Sequence, residues 1–167
     1  MKTISSRRAG SRGGNAVIEF ALSATLLFTL LLGTFQFGYT FYVYDQLQSA
    51  VRAGARFASM KAYRTGNDGD CIDRTITQIR NMVVYGNPSC PSNGAIPIVK
   101  GLTTDKVTVT YGNFDATGKF PGQVTLTVTG FQIDAIFKTF VFTNKPWATV
   151  PFFGRSAALE CDANCGG

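Results

Sequence analysis

Glu19 is the residue that asks most of its surroundings. Between positions 16 and 33 it is the only ionisable side chain, and residues 20–32 are almost all Ala, Leu and Phe, broken by Ser and Thr. A carboxylate deep in such a segment costs roughly 2.5–3.5 kcal/mol on insertion scales, so it needs a partner, a task or a shallow position near headgroups. Gly14 stands just N-terminal to the run, preceded by Lys2, Arg7, Arg8 and Arg12. Other chemistry-bearing sets are thin. The chain has no histidine, so neither a Ser-His nor a Cys-His nucleophile pair can be assembled. Asp68, Asp70 and Asp73 lie close together, but no glutamate follows at the twelfth position of a Ca²⁺ loop and the glycine spacing is wrong. A solvated acidic turn is the better reading. No catalytic constellation remains, which argues against an enzyme and implies no cofactor and no metal.

Four cysteines, Cys71, Cys90, Cys161 and Cys165, all lie beyond the hydrophobic run. An even number in an exported domain reads as two disulfides. A four-thiolate zinc site expects close CxxC-type pairs, and neither the wide Cys71–Cys90 spacing nor Cys161–Cys165 supplies one. All three pairings remain open, with the local one (Cys71 with Cys90, Cys161 with Cys165) preferred.

The element that must position Glu19 is a long helix. Residues 16–37 exceed the roughly 20 needed to cross a bilayer, with Val17, Leu22, Leu26, Leu30 and Gly33 along it. Basic residues before the run and few after it place the N-terminus in the cytoplasm. Phe35, Phe37, Tyr39, Phe41, Tyr42 and Tyr44 then read as an aromatic belt at the outer interface. The helical pattern continues: Leu47, Ala50, Val51, Gly54, Phe57 and Ala58 recur at spacings of three and four, one apolar stripe. Arg52 and Arg56 share a polar face. A helix over 16–58 is roughly 64 Å long at 1.5 Å per residue, against a hydrocarbon core of about 30 Å. About half of it must stand outside, with a stripe that needs cover. Gly33, Gly38 and Gly54 each cost about 1 kcal/mol in a helix interior, and such residues in membrane helices mark close approach of another helix.

After a polar linker at 65–70, a second helix is expected over 72–85, with Ile72, Ile76, Ile79 and Val83 on one side and Gly86 as its stop. Residues 87–94, with Pro88 and Pro91, form a loop. Residues 106–111 and 123–129 alternate apolar side chains with threonine and read as half-buried antiparallel strands joined by a glycine-containing loop. A short helix is expected over 131–142, irregular chain over 144–151, and a final strand over 155–161. Trp147, Phe152 and Phe153 could form a contact surface, with core the favoured reading.

The formal charge is +6, but the four leader cations account for much of it: without them 12 basic residues face 10 acidic ones. A nucleic-acid binder concentrates Lys and Arg on its folded face, so no nucleic-acid partner is expected. Twin-arginine and conventional secretory signals both fail on the length of the hydrophobic run and the lack of a small-residue cleavage site after it. No cysteine follows the leader to carry a lipid.

Gly14, four residues, then Glu19-Phe20 at the head of a hydrophobic helix resembles a type IV prepilin processing site. The resemblance implies that a prepilin peptidase cuts after Gly14, making Asn15 the mature N-terminus and Glu19 the fifth mature residue. An amine so created in a low-dielectric setting is costly unpaired, and Glu19 of a neighbouring subunit can neutralise it, with Phe20 beside it in the assembly helix. From Arg12 to Met60 the match is closer. The stretches 14–22 (GNAVIEFAL), 35–38 (FQFG) and 50–58 (AVRAGARFA) are similar to TadE-like proteins, the minor pseudopilins of the tight-adherence (Tad/Flp) pilus machinery.

The resemblance implies an α+β, type IV pilin-like fold: a long transmembrane and amphipathic helix packed on a small antiparallel sheet domain. It divides the chain into a cytoplasmic leader (1–14), a helix (15–60) and an exported domain (61–167). The implied function is a minor pilin in initiation or at the tip of a Tad-type pilus for surface adherence. Its partners would be prepilin peptidase, other pilin subunits, a Tad-type inner-membrane assembly platform and membrane lipid. The alternatives are a main subunit of a related filament, or an unprocessed single-pass anchor carrying a ligand-binding domain.

Overall fold

The computed structural model describes residues 13–61, 63, 69–89, 95–134 and 139–154. Its element order is helix α1 (Gly13–Met60), helix α2 (Gly69–Tyr85), a 3-10 turn (Thr104–Lys106), then strands β1 (Val107–Gly112), β2 (Gln123–Val128), β3 (Phe131–Asp134), β4 (Thr139–Phe142) and β5 (Trp147–Pro151). The architecture is mixed α+β, a long apolar N-terminal helix with small antiparallel sheets. Two compact units divide the chain, Met1–Tyr39 and Thr40–Gly167.

The first unit holds the N-terminal part of α1. None of its described side chains is buried. Its threonines satisfy themselves within the helix: the hydroxyls of Thr25, Thr29 and Thr34 donate to the carbonyls of Ala21, Thr25 and Leu30 at 2.8, 2.8 and 2.9 Å. Back-bonding of this kind removes the need for water at each hydroxyl.

The second unit is built on one core. From α1 it takes Val43, Leu47, Ala50, Val51, Ala55 and Ala58, and from α2 it takes Ile79, Val83 and Val84. Gly86 ends α2 as its sequence position predicts. It adopts φ +71°, which only glycine enters without strain, and its N–H donates to the Met82 carbonyl at 3.0 Å. The three-stranded sheet has the order β1-β2-β5, antiparallel throughout. Alternation works as expected: Val107, Val124, Leu126 and Val128 face the core, while Thr108 and Thr110 are exposed on the opposite face. There the Thr125 and Thr149 hydroxyls meet at 2.8 Å. The Arg80 Nε of α2 donates to the Val107 carbonyl at 3.0 Å, covering part of the β1 edge.

Two expectations are corrected. Residues 131–142 are not a helix but contribute the paired strands β3 and β4. The physical reason is period two: Phe131 and Ile133 are buried while Gln132 and Asp134 are exposed, and Phe131 stacks on its register partner Phe142 at 6.5 Å. Residues 147–151 are not irregular but form edge strand β5, in which Ala148 and Val150 are half-buried and Trp147, Thr149 and Pro151 exposed. Pro146 fits at its start because only its carbonyl is used, accepting from the Val128 N–H at 3.1 Å. The aromatics divide: Phe152 is core at 5% exposure, whereas Trp147 (59%) and Phe153 (69%) face solvent. The strand expected over 155–161 lies outside the described residues.

Gly54 closes the core. A Cβ there would overlap the Val83 side chain and lie 3.1 Å from Leu126 Cδ2, so α1 approaches both α2 and β2 only because the side chain is absent. Gly54→Val is expected to destabilise the unit by about 1–3 kcal/mol, the usual cost of overpacking, whereas Gly38→Val, whose Cβ meets nothing within 4 Å, leaves stability unchanged. Urea unfolding of the detergent-solubilised chain reads both, and equal stability of the two variants would contradict this account.

Tyr111 anchors a second aromatic group, its ring 4.7 Å from Tyr63 and 6.0 Å from Phe152. Burial, with a smaller contribution from Tyr63, pushes its phenol up to about 12. The unfolded phenol ionises near 10. The stabilisation is therefore complete below pH 10 and is lost as pH rises from 10 through 12, where the unfolded chain gives up a proton that the folded chain still holds. Denaturation midpoints measured across that window are expected to fall less steeply for Tyr111→Phe, and an identical slope would remove the assignment.

Candidate functional site

The candidate site is the N-terminal part of α1, and it begins with a packing fact. Gly14–Met60 is the one helix among the described residues that is long and apolar enough to cross a membrane, and none of its most apolar window is buried. A core helix of a water-soluble domain is covered on at least one side. Here Val17, Ile18, Leu22, Leu26, Leu27 and Leu30 are each more than 60% exposed, and at 100° per residue they fall on every side of the helix. So large a bare apolar surface is stable in lipid or against other apolar helices.

Gly14, Asn15, Glu19 and Phe20 all lie on this stretch and all are exposed. Asn15 and Glu19 are four residues apart, one helical turn, on the same side. The Glu19 carboxylate is thus presented outward at the N-terminal end of the apolar run, open to a partner. Gly33 and Gly38 each leave open space where a Cβ would be, shallow notches at which another helix backbone can approach.

The stripe residues belong to the other unit. Leu47, Val51, Gly54 and Ala58 are buried, and Phe57 is half-buried with the Lys61 ammonium 5.1 Å from its ring centroid. The chain end of β5 docks beside them. The Phe153 N–H donates to the Ser59 carbonyl at 2.8 Å, and a Cβ on Gly154 would run into the Lys61 carbonyl. The cysteines are less informative. Cys71 lies on α2, while Cys90, Cys161 and Cys165 fall outside the described residues. Among the described residues no group of three His, Cys, Asp or Glu side chains is placed to hold a metal ion.

Two features carry no signal in the residue pattern. The hydroxyl back-bonds of Thr25, Thr29 and Thr34 follow from helix geometry, and threonine in an apolar run was the only hint. Asp45 emerges because it is exposed on α1, on the side away from the buried stripe. A lone acid after an aromatic belt does not announce that.

The family model described as TadE-like protein matches residues 14–56. No curated relative and no solved structure matches the chain. The matched segment contains Gly14, Glu19, the bare apolar surface and most of the buried stripe. Over residues 14–56, the chain is similar to TadE-like proteins.

Proposed function

We propose that the chain is a minor pseudopilin that takes part in initiating or tipping a Tad-type pilus, after prepilin peptidase removes residues 1–14. The observation that carries the reading is the bare apolar surface of α1 headed by Gly14 and Glu19, inside the TadE-like match. The TadE-like match over residues 14–56 supports pilus association and a structural role. The chain is cleaved at Gly14-Asn15, keeps its N-terminus at the cytoplasmic side of the inner membrane, and exports its C-terminal domain. Its partners are other pilin subunits and a Tad-type assembly platform, met through the N-terminal helix.

Cleavage gives Glu19 its task. The new amine at Asn15 and the carboxylate both lie at the edge of a medium in which an isolated charge is costly. Pairing the amine of one subunit with Glu19 of the next satisfies both and sets the height of one helix against the other. The ordered burial of the stripe from Leu47 to Ala58 supports a helix that enters the exported domain. The four cysteines, all C-terminal to the membrane segment, are proposed to form two disulfides in that oxidising compartment.

The intact mass of the membrane-extracted protein, taken before and after reduction, tests both points. The expected species begins at Asn15 and gains four hydrogens on reduction; a chain still beginning at Met1 in cells with a working prepilin peptidase would leave a simple anchor as the better reading. Glu19→Ala is expected to be processed and membrane-bound yet to enter the pilus or its initiation complex poorly. Normal incorporation of that variant would remove the amine-pairing role.

A further inference from the structure

Three contacts order the second unit along its part of α1. The Phe153 N–H meets the Ser59 carbonyl, Leu126 of β2 lies against Gly54, and the Phe142 ring of β4 lies 5.6 Å from that of Tyr44. From Ser59 to Tyr44 is roughly 22 Å of helix. The β3–β4 pair therefore sits at the end where the chain enters the unit, at Thr40. The sheet brings Trp147 to the same end. Trp147 pairs with Thr127, and the Pro146 carbonyl accepts from the Val128 N–H, next to the turn from β2 into β3. Apolar side chains are left bare here: Trp147 is 59% exposed, Val141 56% and Phe140 42%. Phe140 shares a face with its buried register partner Ile133, so the cover that the core gives β3 stops short of β4. Lys145, between Val141 and Trp147 in sequence, is exposed too.

We propose that this end of the unit rests on the bilayer, with Phe140, Val141 and Trp147 in the headgroup layer of the leaflet from which α1 emerges. The inference rests on the membrane anchoring proposed above. Tyr44 follows the apolar run at 16–37 by about 10 Å of helix, just beyond a headgroup layer about 5–8 Å deep. Aromatic side chains at this level are close enough to enter it. Tryptophan suits that layer, where its ring meets apolar chains and its N–H meets water or phosphate. Lys145 can lay its stem along the same layer and keep its ammonium among the phosphates. Apolar exposure alone does not choose this end, since Met60, Phe114 and Phe153 are also bare. Those residues lie with Ser59, at the far end of the unit. A recruited protein could cover either patch, but the anchor holds lipid beside this one at high effective concentration. A unit held to the membrane at two places cannot swivel about α1, and entry into a filament requires these side chains to leave the lipid.

Trp147 is the single tryptophan of the chain, so its fluorescence reports this end directly. The full chain is reconstituted in vesicles of phosphatidylethanolamine and phosphatidylglycerol, with part of the lipid carrying a nitroxide on its headgroup. Two further chains move the probe: Trp147→Phe with Phe140→Trp, and Trp147→Phe with Phe153→Trp. Nitroxide lipid is expected to lower emission about twofold or more in the native and Phe140→Trp chains, whose indoles sit at the interface. Emission from the Phe153→Trp chain stays nearly unchanged, and acrylamide in the water quenches in the reverse order. Lipid quenching that is absent from either of the first two chains, or equal in all three, overturns the proposal. Shielding of Trp147 from acrylamide without lipid quenching overturns it in favour of a protein neighbour. An alkaline wash separates the two readings. A chain stripped from the vesicles defeats the anchoring and this contact with it, whereas a chain that stays bound with Trp147 unquenched defeats only the contact.

Discussion

The contact of Gly54 with Val83 and Leu126 is the constraint on which the second unit depends. From Ala50 to Ala58 the covered side of α1 carries mostly Ala50, Gly54, Ala55 and Ala58, so that stretch has little bulk of its own to bury. Its neighbours must therefore come close enough to fill the space with their own branched side chains. Glycine at that position costs about 1 kcal/mol of helix propensity. Burying Val83 and Leu126 against the helix returns roughly 1.5–3 kcal/mol each, so packing outweighs propensity. The same closeness fixes where the sheet can lie, since Leu126 is on β2, the central strand of three. β2 in turn carries β1 on one edge and β5 on the other.

Much of this was legible in the residues, for identifiable reasons. The stripe of α1 and the stop at Gly86 are local signals, and β1 and β2 announce themselves by strict alternation with threonine. The paired strands β3 and β4 did not, because Phe131, Ile133, Phe140 and Phe142 are dense enough to satisfy either period. Only the pairing of Phe131 with Phe142 across the register decides between them. Strand β5 was hidden by the prolines at 146 and 151, which read as breaks although they sit at its two ends, where Pro146 lends β2 only a carbonyl. The order β1-β2-β5 joins segments separated by the β3–β4 pair, and nothing local encodes such a crossover. At the candidate site the position was reversed. A carboxylate in an apolar run is conspicuous because lipid makes it costly, while Asp45 in a water-exposed turn is chemically ordinary.

Threonine shows how one residue type answers two kinds of backbone. On α1 the hydroxyls of Thr25, Thr29 and Thr34 turn back to the helix carbonyls, leaving methyl groups to face an apolar medium. On the sheet, Thr108 and Thr110 face solvent and Thr125 bonds Thr149 across the strands, where water can satisfy what remains. The β-branched shape suits the strand and is tolerated in the helix. Composition alone therefore does not separate the membrane segment from the folded unit. The hydroxyl bonds do not either, since Thr77 on α2 also turns back, to the Asp73 carbonyl at 2.8 Å.

Axial register between packed helices must come from something other than apolar contact. Lipid tails are as apolar as leucine, so burying Leu22, Leu26 or Leu30 against a neighbouring helix gains little over burying it in lipid, and the gain changes little as one helix slides past the other. Polar groups at fixed heights are what distinguish one position from the next. Glu19 sits where charge is costly and screening is weak, so a partner for it is demanded strongly but at a single height.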